Sequence, residues 1–379
     1  HPVVYVKDAS RAVGVAQSLI SADLKGDFAA NIKTEYEQLR EERKARAKEV
    51  RRIPINKARE NPSLTEQAWS DYTPVKPKFL GTKVLEDFPL ETLVERFDWS
   101  PFFQAWELHG LYPRILNDKV VGEEAKKVFA DAQAMLKQLV DEKWLTAKAV
   151  YGFYPANRVG DDIEIYADES RSEVIHTFHH IRQQAEKKRG GANNCLSDFV
   201  ASKESGVADY IGLFAVTSGI GIEKIIEKYK AEHDDYNIIM IKSIADRLAE
   251  AFAELLHKKV RTELWGYAQD ENISTKELID EKYQGIRPAP GYPAQPDHTE
   301  KLTIFSLLDV EKNCGIELTE NLSMYPASSV SGLYFSNKDA KYFSVGKISK
   351  DQAEDYAIRK ELSIDEVEKW LKPNLNYEN

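Results

Sequence analysis

Two short runs decide most of what this chain can fold into. Val150-Tyr151-Gly152-Phe153-Tyr154 is apolar and aromatic, and Asp162-Ile163-Glu164-Ile165-Tyr166 alternates strictly. Both read as strands, with Asn157 to Asp161 as the turn between them. Strands joined by so short a link pair antiparallel, because a parallel pair needs a long crossover. Tyr210 to Val216 reads as a buried strand. Leu333 to Ser336 and Tyr342 to Ile348 read as a second hairpin, joined by Asn337-Lys338-Asp339-Ala340. Helical periods fill the space between. Glu123 to Glu142 is amphipathic. Asn237 to Trp265 is the longest helix, with Ile241, Ile244, Leu248, Phe252, Leu255 and Val260 on one stripe. Ser363 and Glu366 form a capping-box pattern near the end. Hairpins among helices imply an α+β fold around a mainly antiparallel sheet.

The first fifty residues follow a different pattern. Val3 to Val6 reads as a short buried strand, Asp8-Ala9-Ser10 as a helix cap, and Arg11 to Leu19 as a helix. This resembles the last strand–helix unit of an α/β domain. Together with a first residue, His1, that is not Met, it suggests the C-terminal part of a longer protein. Lys25 to Arg52 is a charged helix in which Glu42 faces Arg46, Glu37 faces Arg40 and Glu41 faces Lys44. Its thin apolar content marks a solvated linker. Pro54, Pro62, Pro74 and Pro77 then interrupt all periodicity, so the main boundary falls there. The expected division is 1–24, a linker helix over 25–52, and one main domain over 53–379.

Composition narrows the function. With 42% apolar residues among 379 the chain can build a core, and a formal charge of −10 leaves no basic face for nucleic acid. Two cysteines, Cys195 and Cys314, lie far apart, which fits a reducing cytoplasm and gives no metal-ligand spacing. No run of about 18 apolar residues suggests a membrane span.

The most unusual local feature is Arg287-Pro288-Ala289-Pro290-Gly291-Tyr292-Pro293. Its three prolines fix φ and remove donors, and Gly291 is free to take positive φ. Arg287 offers a planar fork for a carboxylate or phosphate, and Tyr292 an aromatic face. The competing reading is a rigid turn whose arginine pairs with an internal acid. After it, Asp297-His298-Thr299-Glu300 has an Asp-x-x-Glu cap form, which predicts a helix from Lys301 into Val310. Asp98 stands beside Trp99, Phe102 and Phe103, either as a helix cap or as an acid against an apolar wall. Glu281 lies six residues before Arg287. Glu250 sits off the apolar stripe of the long helix. His176, His179 and His180 fall in an expected helix, with packing and capping roles favoured over metal binding. Ser218-Gly219-Ile220-Gly221 reads as a turn.

The segment Tyr283-Gln284-Gly285-Ile286-Arg287 through Ala294, with Pro296-Asp297-His298-Thr299-Glu300-Lys301, resembles the S-adenosylmethionine-binding loop of cobalamin-dependent methionine synthases. Pro155 to Tyr166, His233 to Asn237, Ala245 to Glu254 and Ser329 to Gly332 resemble that family's C-terminal reactivation domain. Residues 2–22 are similar to the end of its cobalamin-binding domain. The resemblance implies a C-shaped α+β domain around a bent, mainly antiparallel sheet flanked by helices. It also implies a task, reductive reactivation of cobalamin. S-adenosylmethionine gives its methyl to the cobalt, and flavodoxin or a similar flavoprotein gives an electron. By this likeness Arg287 holds the ligand carboxylate, Asp98 and Glu250 suit its ammonium, and Glu281 offsets the sulfonium. Ala289 and Gly291 lend backbone groups, Tyr292 is a wall, and Tyr342-Phe343 matches paired tyrosines, Phe343 without the hydroxyl. The family's cysteine near the loop is Gln295 here.

The implied parent enzyme makes methionine from homocysteine and methyltetrahydrofolate, with cobalamin and zinc bound outside this chain. No residue of this chain is expected to be catalytic, and none to bind metal. One rival reading is a docking module for flavodoxin or the cobalamin domain, without a ligand of its own. Another is a standalone, doubly wound methyltransferase, which calls for a glycine-rich loop after an early strand; none is present.

Overall fold

The computed structural model describes residues 3–6, 9–48, 50–70, 72–188, 190–274, 277–278 and 280–377. They fall into two compact units, His1–Ile53 with Ala185–Lys188, and Pro54–Gln184 with Arg189–Asn379. Among the described residues no helix is long and apolar enough to cross a membrane.

The smaller unit holds two helices, Ala9–Ile20 and Lys25–Lys48. The cap expected at Asp8 lies outside the described residues. Val3 to Val6 do not form a strand, and Val3 and Tyr5 are 81% and 78% exposed. Among its described residues the unit has no strand to complete a ladder, so the apolar run stays extended; the Tyr5 N–H donates instead to the Tyr36 hydroxyl at 2.9 Å. On the charged helix Glu41 pairs with Lys44 as expected at 3.7 Å, whereas Glu37 lies 3.9 Å from Lys33, one turn back. The Arg46 side chain lies outside the described residues.

The larger unit is built on strand β2, Thr146–Val159. Strands β1 (Gly81–Phe88), β3 (Asp162–Tyr166), β4 (Val174–His179), β5 (Asp209–Ile220) and β8 (Ser329–Tyr334) complete its sheet; the short β6 (Glu317–Leu318) and β7 (Met324–Tyr325) pair separately. The order is β4-β3-β2-β5-β8, and every strand pairing is antiparallel. One edge of β2 is shared: β1 covers Ala147 to Phe153, and β3 covers Ala156 to Val159. The other edge carries β5 along almost its full length.

Both faces of this sheet are buried, which explains why β2 is apolar without a break from Ala149 to Ala156. Ala147, Ala149, Tyr151 and Phe153 join one core with the helices Gly122–Asp141 and Asp235–Lys259. Val150, Tyr154 and Ala156 join a second core with the helix Glu300–Leu308.

Three local expectations give way. The three histidines lie on β4 and just after it rather than on a helix, because Val174 to His179 pairs with β3. Ser218 to Ile220 continue β5, and only Gly221, at φ 97°, turns the chain into the helix Ile222–Ala231. The second hairpin is absent, since Tyr342 to Lys347 form no strand. The outer edge of β8 is already taken. Ile286 and Phe335 exchange N–H···O bonds of 3.1 and 3.0 Å, and the Leu333 N–H donates to Pro288 O at 2.9 Å. Proline is tolerated there because its missing N–H falls on a sheet edge.

Candidate functional site

The edge pairing lays the proline-rich loop against β8 and directs Arg287 toward the long helix. Gly285, at φ 79°, allows the approach: a Cβ there would lie 2.3 Å from Phe335 O. Gly291 turns the loop at φ 93°, where a Cβ would meet the His298 ring at 2.2 Å. No other residue fits without displacing that ring. The turn closes with the Gly291 N–H donating to Gln295 O at 2.7 Å and the Gln295 N–H to Tyr292 O at 2.9 Å.

Gln295 anchors the loop. It is fully buried; its Oε1 faces His180 Nδ1 at 2.8 Å, and its Nε2 donates to His179 O at 2.8 Å. Since the amide oxygen accepts, His180 carries its proton on Nδ1. Burial holds this imidazole down to about 4, so it is neutral. Beyond the loop the expected helix is present as Glu300–Leu308, starting one residue early and ending short of Val310, and its cap is built differently. Asp297 accepts from the Thr299 N–H and hydroxyl at 2.8 and 2.7 Å. Glu300 turns away to accept from the His179 N–H at 3.1 Å.

The loop, the long helix and the segment Tyr342–Phe343 enclose a cleft of about 330 Å³. Glu250, Glu281, Arg287, Ala289, Tyr292, Tyr342 and Phe343 line it, so seven of the nine residues singled out in the sequence meet there. Two do not. Gly291 turns the loop between Ala289 and Tyr292, and the exposed Asp98 caps the helix Trp99–Ala105, accepting from the Ser100 N–H at 2.9 Å; neither is among the lining residues.

The Arg287 guanidinium makes no ion pair among the described residues, against the reading of a structurally paired arginine. Burial works against its charge, but the Tyr342 and Tyr283 hydroxyls and Glu250 outweigh it and hold the group above its ordinary value. Its backbone N–H donates to the Tyr342 hydroxyl at 3.0 Å, and that hydroxyl stands 3.4 Å from the Tyr283 hydroxyl. Behind them Arg261 lies under the Tyr283 ring at 4.5 Å and is held by Glu271 through two bonds of 2.6 and 2.7 Å. His257 stacks on Tyr334 at 5.3 Å, and burial, with Arg261 and Arg287, pushes it well below its usual value.

The cleft therefore offers one unpaired cation set among acids and phenols, an arrangement suited to a zwitterion with an aromatic portion. Glu254, Tyr283 and His257 escaped the sequence reading. Glu254 and His257 share the Glu250 face of the helix at steps of four and three, so helical phase taken from Glu250 would have found both. Among the described residues no group of three or more His, Cys, Asp or Glu side chains is placed to hold a metal.

Residues 89–361 match the family model for the vitamin B12 dependent methionine synthase activation domain. A solved structure described as the MetH reactivation domain bound to AdoHcy is similar at 56% identity and a TM-score of 0.83, over 86% of this chain and 99% of that one.

Proposed function

The chain belongs to the vitamin B12 dependent methionine synthase activation-domain family, and from that premise we propose that it binds S-adenosylmethionine in the cleft beside Arg287. The observation that carries this reading is the unpaired Arg287 guanidinium, facing a cleft of about 330 Å³ together with Glu250 and Glu281. The residues fit the ligand. Arg287 takes the carboxylate as a fork, and the acids Asp98 and Glu250 suit the ammonium. Glu281 lies on the exposed side, where it offsets a sulfonium. Ala289 and Gly291 lend backbone groups; Tyr292, Tyr342 and Phe343 supply walls. The ligand brings its own activated methyl, so the chain needs no general base, and its task is orientation.

The activity that follows is reactivation of cobalamin bound by a companion domain of the same protein. Cobalt that has first taken one electron from flavodoxin or a similar flavoprotein would supply the electron pair that accepts the methyl cation, and S-adenosylhomocysteine would leave. Zinc and the folate and homocysteine sites belong outside this chain. The test is calorimetry of S-adenosylmethionine and S-adenosylhomocysteine on the chain. Saturable binding, lost in Arg287→Ala, is expected; no heat with the wild-type chain up to millimolar ligand would leave only the docking-module reading.

A further inference from the structure

A lysine inside a protein is almost always paired with an acid, because an isolated ammonium is costly to take out of water. Lys301 is an exception. It is 7% exposed, and among the described residues it makes no ion pair. Its Nζ meets two uncharged partners instead, Leu322 O at 2.8 Å and His298 Nδ1 at 2.9 Å. The neighbouring acids are taken: Asp297 accepts from Lys360 at 2.9 Å, and Glu300 accepts from the same ammonium at 2.5 Å. Lys301 also stands on the first turn of the helix Glu300–Leu308, where the helix dipole favours anions over cations. Burial accordingly pulls its ammonium below the ordinary value. For stability alone an apolar side chain of the same length would serve as well.

His298 shows what the arrangement holds in place. Its ring packs against Gly291, which turns the proline-rich loop at φ 93°; a Cβ on Gly291 would lie 2.2 Å from the ring carbon Cε1. An ammonium only donates, so its bond to Nδ1 takes the lone pair there and leaves the ring proton on Nε2. Flipping the ring, or protonating Nδ1, breaks that bond. Burial and the Lys301 charge lower the imidazole below its ordinary value against the opposing pull of Asp297, so the ring is neutral near pH 7. Three segments thus meet at one ammonium: the loop through His298, the start of the following helix, and the turn at Leu322 that leads into Met324–Tyr325.

We propose that Lys301 is a positioning residue of the ligand loop: it holds His298 in one tautomer and one orientation, and that ring sets the turn at Gly291 on which the cleft wall from Ala289 to Tyr292 depends. The proposal rests on the functional reading above and deepens it. Neither Lys301 nor His298 is among the residues lining the cleft, so their effect on a ligand passes through the loop.

The first measurement is the long-range nitrogen–proton spectrum of the histidine rings in the wild-type chain at neutral pH, with His298 assigned by its loss in His298→Gln. The pattern of a ring protonated on Nε2 alone is expected; a proton on Nδ1 overturns the proposal, because Nδ1 could not then accept from Lys301. Lys301→Met keeps the length of the side chain and removes its charge. Its unfolding midpoint in urea is expected to change little, while S-adenosylhomocysteine, followed by calorimetry, binds about tenfold more weakly. In a His298→Gln background the same substitution is expected to change the affinity less than about twofold, since the ring it holds is gone. Unchanged affinity in Lys301→Met, or an equal loss in both backgrounds, overturns the proposal. Failure of the wild-type chain to bind S-adenosylhomocysteine removes the functional reading and this proposal with it, and that failure shows before any variant is made.

Discussion

The two sides of the proline-rich loop treat charge in opposite ways. Toward β4 and the helix Lys350–Lys360, Arg182, Arg359 and Lys360 are all paired with acids. Arg182 is bound by Asp161 at 2.7 Å and by both oxygens of Asp198 at 2.7 and 2.9 Å. Lys360 reaches Asp297 at 2.9 Å, and Arg359 bridges Asp162 and Asp355. Toward the long helix, Arg287 and Glu254 have no partner among the described residues. Pairing a buried charge fixes geometry; leaving one unpaired costs stability that a ligand recovers. The first side behaves as scaffold and the second as site, and this contrast can be attacked directly.

The largest effect is expected from Arg182→Met. Its guanidinium is almost fully buried between two carboxylates; without it Asp161 keeps Arg59 at 2.7 Å, but the fully buried Asp198 is left to backbone N–H donors and to Arg158 at 4.0 Å. A stability loss of about 3–5 kcal/mol is expected. The check is the urea midpoint, with S-adenosylhomocysteine affinity at low temperature unchanged in the folded fraction. Weakened binding in a fully stable variant would break the division between scaffold and site.

Next comes pH. His180 stands at about 4 when folded, because of burial, against about 6.5 when unfolded. The unfolded chain therefore binds a proton that the folded one refuses. His180 adds stability that is complete above pH 6.5 and is lost as pH falls toward 4, about 3 kcal/mol in all. Denaturant midpoints measured from pH 7 to 4 are expected to fall more steeply for the wild type than for His180→Gln. Parallel slopes would remove His180 from the scaffold's pH response.

Arg287→Ala sharpens the other half of the contrast. Since this side chain makes no ion pair among the described residues, unfolding midpoints are expected to move by less than about 1 kcal/mol, while S-adenosylhomocysteine binding weakens about a hundredfold. A large stability loss with unchanged affinity would reassign Arg287 to the scaffold.

Much of this was legible in the residues. The hairpin of β2 and β3, the long helix and the capping box at Ser363 follow from short-range periodicity and side-chain chemistry. The failures are long-range. Tyr342 to Ile348 has strand composition, but the loop at Ile286 to Pro288 occupies the edge it would need. Val3 to Val6 has it too, and lacks a neighbouring strand in its unit. His176 to His180 fits either period; only pairing with β3 decides it. At the site, the loop and its arginine stood out because proline and glycine restrict the backbone locally. Glu254 did not, because an unpaired half-buried acid and a solvated one are the same letter until the helix is docked.

The smallest effect tests whether Tyr342 belongs to the site or to the scaffold. Its hydroxyl accepts from the Arg287 N–H at 3.0 Å and approaches the Tyr283 hydroxyl at 3.4 Å. Tyr342→Phe leaves that N–H without its acceptor while keeping the ring that lines the cleft. Removing one partner of a part-buried neutral hydrogen bond costs about 1 kcal/mol. If the hydroxyl serves to fix Arg287, that cost appears as a roughly fivefold loss of S-adenosylhomocysteine affinity with little change in unfolding midpoint. In an Arg287→Ala background the same substitution would then add almost nothing to the binding loss, since the group it positions is gone. Equal losses in both backgrounds would mean that Tyr342 touches the ligand independently, and the backbone contact at Arg287 would belong to the scaffold.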